Sequence, residues 1–109
     1  MLVLNAFSLN MLAEDILDGD CVISSHPLNL EEAKKAISEE GVESAVGHAD
    51  TAAVFSTLLG VEIQFNRATV ALKKGDTALV GQYRGPRMPE GAKTLPEGSR
   101  IDWLLVTIG

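Results

Sequence analysis

Apolar and polar positions fall into short blocks along the chain. Met1–Leu4 is a continuous apolar run and reads as a buried strand. Ser8 then stands where it would cap a short helix with Leu9, Leu12 and Ile16 on one face. Asp18-Gly19-Asp20 has turn composition, and Cys21–Ser24 reads as a short strand. Asn29 with Glu32 is a capping-box pair ahead of a helix lined by Leu30, Ala33 and Ile37. Gly41 ends that helix, and Glu31 is spaced to pair with Lys35. His26, beside Pro27, falls in the loop before it and reads as an ordinary surface histidine.

The second helical pattern lies within residues 43–60. Ala45 and Val46 lead to Gly47 and His48, after which Ala52, Phe55, Leu58 and Leu59 recur at helical spacing. Asp50 or Thr51 is the expected cap, and Gly60 suits the left-handed position that ends helices. His48 therefore sits just before a helix N-terminus, where unpaired N–H groups favour a phosphate. The plain alternative is that His48 only helps shape the turn.

Beyond Gly60 the pattern is that of strands. Val61–Phe65 alternates weakly, and Asn66-Arg67 opens a second run to about Lys73. Lys73-Lys74-Gly75-Asp76 has hairpin length and composition, with Thr77–Tyr83 as the returning strand. Arg84–Gly91 is a Gly/Pro-rich loop, Pro96-Glu97-Gly98 a turn, and Ile101–Ile108 a closing apolar strand. Interleaved strands and helices predict an α/β fold, a mixed sheet with helices packed on it, in one domain spanning 1–109.

Composition narrows the function classes. An apolar content of 46% excludes a disordered chain. No stretch approaches the ~20 apolar residues of a membrane span and no basic signal start is present, so a cytoplasmic protein without a membrane partner is expected. Cys21 stands alone, which leaves neither a disulfide framework nor a cysteine metal cluster. The net charge of −6 divides unevenly, −9 over residues 1–65 and +3 over residues 66–109. An acidic whole disfavours binding along a nucleic acid, whereas a basic C-terminal part suits a small, compact anion.

Six motifs in order carry a family resemblance. They are Asn5-Ala6-Phe7-Ser8-Leu9-Asn10-Met11-Leu12, Val46-Gly47-His48-Ala49-Asp50-Thr51, Leu58-Leu59-Gly60, Asn66-Arg67, Gly75-Asp76 and Arg87-Met88-Pro89-Glu90-Gly91. Together they closely resemble the small viral and bacterial ring nucleases of the anti-CRISPR type, which degrade cyclic tetra-adenylate, the second messenger of type III CRISPR defence. The departure is in Gly91–Arg100, short and Pro-containing where the family carries a helix.

The resemblance implies a five-stranded mixed sheet flanked by helices, a homodimer, and a ligand bound across the dimer interface. It implies metal-independent chemistry without a cofactor, in which a ribose 2′-OH attacks the adjacent phosphorus and leaves a 2′,3′-cyclic phosphate. His48 then matches the catalytic histidine that protonates the departing 5′-oxygen, and Glu90 the supporting glutamate. Arg67 and Arg87 match arginines at phosphates, and Asn5, Ser8 and Asn10 a polar turn that contacts the ligand; Gly47, directly before the histidine, is expected to bind the substrate with them. Elementary chemistry is compatible with these roles. Histidine is the side chain best suited to donate a proton at neutral pH, and the planar guanidinium suits phosphate oxygens. Without the resemblance, Asn5, Ser8 and Asn10 read as turn chemistry, and Arg87 with Glu90 as a loop ion pair. The alternative functions are a dimeric module that sequesters the cyclic nucleotide or binds DNA, and an interaction protein using a sheet edge.

Overall fold

A computed structural model describes residues 1–14, 16 and 19–109. Its strands are β1 (Leu2–Leu4), β2 (Ile23–Leu28), β3 (Glu43–Ser44), β4 (Thr77–Arg84) and β5 (Arg100–Ile108), and its helices are α1 (Leu30–Glu40) and α2 (Ala49–Leu59). They build one mixed five-stranded sheet in the order β2-β5-β4-β1-β3. β1 runs parallel to both β3 and β4, whereas β5 is antiparallel to β4 and β2. Among the described residues no helix is long and apolar enough to cross a membrane.

Strand alternation divides the core between the two faces of this sheet. Val3, Leu79 and Trp103 meet Ala33 and Ile37 of α1 and Ala52, Phe55 and Leu59 of α2. Leu4, Ala78, Val80, Val106 and Ile108 instead meet Ile16, Leu72 and the partly buried Met11, Leu12 and Val70. Helices therefore cover one face and irregular segments the other. On the helical face, Phe55 and Trp103 stack in a tilted pair with centroids 4.9 Å apart. Gly81 makes room for them: a Cβ there would stand 2.7 Å from Trp103 Cζ3 and 2.9 Å from Phe55 Cε2. Phe55 is fully buried and has nowhere to retreat. Gly81→Ala is therefore expected to destabilise the domain by ~1–3 kcal/mol through overpacking, read as a lower midpoint in denaturant unfolding.

The capping box on α1 forms as the spacing predicts: Glu32 N–H donates to Asn29 Oδ1 at 2.8 Å and Asn29 N–H to Glu32 Oε1 at 3.0 Å. Gly60 ends α2 in the left-handed conformation, φ 73°. Strands β1 and β5 lie where the apolar runs place them. The ion pair of Glu31 is with Lys34, one turn position earlier than expected.

Several expectations need correction. Strand β2 begins and ends later than Cys21–Ser24 and includes His26 and Pro27. It is a sheet edge, where a proline leaves no ladder bond unmade. The helix expected after Ser8 is a 3-10 turn at Leu9–Met11, and Leu9 is 70% exposed. Leu72 prevents its continuation, since Leu72 N–H donates to Met11 O and Ala13 N–H to Leu72 O. Of the turn expected at residues 18–20, Asp18 lies outside the described residues.

Residues 61–65 and 66–73 are not strands, and no hairpin joins the latter to β4. The turn at Lys73–Asp76 does form, with Asp76 N–H donating to Lys73 O at 3.0 Å. Both edges of β4 are already occupied, by β1 and β5, and a strand has no third. Side chains tie residues 63–66 down instead. Ser44 Oγ donates to Gln64 O, and Asn66 Nδ2 to Ser44 O, at 2.6 and 2.7 Å.

Candidate functional site

The first turn of α2 and the loop after β4 border an open cleft of about 770 Å³. His48, Asp50 and Thr51 line it from the helix, and Tyr83, Gly85, Arg87, Met88, Pro89 and Glu90 from the strand end and loop. Three residues singled out by motif, His48, Arg87 and Glu90, thus share one cavity although 42 positions separate the first from the last. All three are exposed to solvent.

His48 is the N-cap residue of α2, and its side chain makes no capping hydrogen bond. Neither Asp50 nor Thr51 is the cap, because the helix already begins at Ala49. The first-turn N–H groups have no intrahelical acceptors, so this end of α2 carries a local positive field beside the imidazole. Gly47, directly before His48, is held through both of its backbone polar groups. Gly47 N–H donates to Asn5 Oδ1 at 3.3 Å, and Gly47 O accepts from Arg67 Nε at 3.1 Å. Arg67 lies against this turn closely enough that a Cβ on Gly47 would be 3.4 Å from Arg67 Cγ.

The loop is braced rather than loose. Tyr83 Oη donates to Pro86 O at 2.6 Å, and Gly91 N–H donates to Asp50 Oδ1 at 3.1 Å. Gly91 has φ 76°, which suits the reversal after Glu90. Farther on, Thr57 Oγ1 of α2 donates to Lys93 O at 2.6 Å. The ion pairs among the described residues are Glu31–Lys34, Arg84–Asp102 and Arg100–Asp102. None involves Arg87 or Glu90, so the loop ion pair is not formed and both side chains are available to a ligand. The hydrogen bond from Arg84 and the charge of Arg100 hold the Asp102 carboxyl below the usual carboxylate range, although burial opposes them.

The other candidate site residues, Asn5, Ser8, Asn10, Gly47 and Arg67, are not in the cleft lining. Asn5 and Arg67 are engaged with the backbone of Gly47 instead. Ser8 and Asn10 bond to each other through Ser8 Oγ, and Asn10 N–H also donates to Ser8 Oγ at 3.4 Å. The polar turn is thus satisfied internally. Sequence reasoning missed Tyr83 and gave Asp50 only a capping role. The single tyrosine directly before a Gly/Pro-rich loop was the available signal for the first. Among the described residues no three His, Cys, Asp or Glu side chains group as metal ligands do.

Three comparisons bear on this arrangement. A family model described as STIV B116-like matches residues 1–98. The chain is 37% identical over 84 residues to the uncharacterized protein 26 of Sulfolobus islandicus filamentous virus (isolate Iceland/Hveragerdi), covering 75% of this chain and 70% of that one. The solved structure of B116 of Sulfolobus turreted icosahedral virus superposes with a TM-score of 0.76 at 30% identity, over 97% of each chain.

Proposed function

Since the chain belongs to the STIV B116-like family, a family with members in Sulfolobus viruses, we propose that it is a metal-independent ring nuclease that cleaves cyclic tetra-adenylate and so switches off type III CRISPR signalling in the host cytoplasm. The observation that carries this reading is the cleft that His48, Arg87 and Glu90 share. In the proposed reaction a ribose 2′-oxygen attacks the adjacent phosphorus and the bond from phosphorus to the 5′-oxygen breaks. His48 gives its proton to the departing 5′-oxygen, and Glu90 receives the proton of the 2′-hydroxyl. Arg87 meets the negative charge that grows on the phosphoryl oxygens. The products are linear and end in a 2′,3′-cyclic phosphate. Alignment of the attacking hydroxyl is a positioning effect that protein side chains supply.

Incubation of the purified protein with labelled cyclic tetra-adenylate in the presence of chelator tests the reading. Linear products bearing 2′,3′-cyclic phosphate are expected. Tight binding with an intact ring would instead identify a sequestering module, and no binding would remove the ligand altogether.

A ring of repeated units matches a two-fold partner, so the working species is proposed to be an isologous homodimer. Sedimentation is expected to give a dimer at micromolar concentration. A clean monomer with undiminished cleavage would refute this.

A further inference from the structure

Asp50 occupies a position between the two halves of the cleft. It lies in the first turn of α2, two residues after His48, and its Oδ1 accepts from the N–H of Gly91 at 3.1 Å. That N–H belongs to the peptide joining Glu90 to Gly91, so this bond ties the helix turn that follows His48 to the loop that carries Glu90. The loop's other brace, from Tyr83 Oη to Pro86 O, holds it to its own strand and not to the helix. Asp50 is half-buried while His48, Arg87 and Glu90 are exposed, so it is a wall of the cleft rather than a group offered to solvent. Thr57 repeats the arrangement two turns along α2, donating to Lys93 O, which makes the helix a template for the segment 91–93.

We infer that Asp50 is a positioning residue, which by accepting from the Gly91 amide sets the separation of Glu90 and Arg87 from His48. This rests on the ring-nuclease reading for its consequence in rate, but not for its consequence in loop order. The bond needs an acceptor oxygen at this place and does not need a charge. Asparagine keeps that oxygen; alanine removes it. Both substitutions remove the same favourable charge from the first turn of α2, so any loss from the helix dipole is common to both.

The test compares Asp50→Ala with Asp50→Asn in the full chain, by kinetics and by amide hydrogen exchange over residues 86–92. Asp50→Ala is expected to lower kcat about 10- to 100-fold with KM little changed, the size associated with misplacing a reacting group. Exchange at Gly91 should accelerate in the same variant. Asp50→Asn should restore most of the rate and the slow exchange. Wild-type rate and exchange in Asp50→Ala would overturn the inference, as would equal losses in the two variants, which would assign the effect to charge. Should the wild-type protein fail to cleave the ring, the ring-nuclease reading falls, and the exchange measurement alone still decides whether Asp50 holds the loop. Thermal unfolding of both variants identifies a general loss of folding, which would be shared between them.

Discussion

His48→Ala is expected to lower the rate of ring cleavage by about 100- to 10,000-fold, the usual contribution of a positioned acid or base. Dissociation of cyclic tetra-adenylate should change by only a modest factor. The separation follows from what the imidazole does in the proposed reaction. An alkoxide is a poor leaving group until it is protonated, and that need arises only as the bond to phosphorus breaks. An interaction made in the transition state alone affects kcat and leaves ground-state binding nearly untouched. The structure makes the variant a clean one to interpret. His48 is exposed, caps nothing with its side chain, and follows Gly47, whose backbone is already held by Asn5 and Arg67. Truncation to alanine therefore leaves the start of α2 in place. Single-turnover rates measured beside dissociation constants decide the matter: cleavage at the wild-type rate would remove His48 from the role of acid, and loss of binding without loss of rate would make it a ligand contact.

Arg87 offers the second large effect. Its guanidinium is exposed in the cleft and pairs with no carboxylate among the described residues, although Glu90 is only three residues away. Arg87→Ala is expected to lower cleavage by about 100- to 1,000-fold, as when one donor to developing charge is removed from a preorganised site. Binding should weaken as well, and that loss should shrink as salt screens the phosphate attraction. Arg87→Lys is the sharper comparison. Lysine preserves the charge but not the planar fork that grips two oxygens at once. Much of the binding should survive in this variant, with a disproportionate fall in rate. Equal losses in the two quantities would reduce Arg87 to a residue that merely holds the ring. Unchanged values would take the loop out of the site. Arg67 provides the contrast, because its Nε is committed to Gly47 O. Arg67 does not line the cleft, so Arg67→Ala is expected to cost less in cleavage rate than Arg87→Ala.

Local chemistry determined a good part of this molecule. The capping box at Asn29 and Glu32, the left-handed Gly60 and the apolar runs of β1 and β5 depend on neighbours within a few residues, so they are legible in order along the chain. The motif around His48 and the loop of Arg87 and Glu90 were visible in the same way, each as a short signature. What the sequence could not decide was which long-range partner each backbone edge would take. Residues 66–73 have the composition of a strand beside a good turn, yet β1 takes that edge of β4 from 76 positions away in register. The helix expected after Ser8 gives way because Leu72 claims the backbone of residues 11–13. Asp50 shows the same limit within the site. From sequence it is a helix cap; in the folded chain its carboxylate finds the Gly91 amide, 41 residues on. Hydrogen-bond acceptors are fixed by type but not by partner, and only the packed sheet, with α2 laid over Gly81, brings that amide within reach.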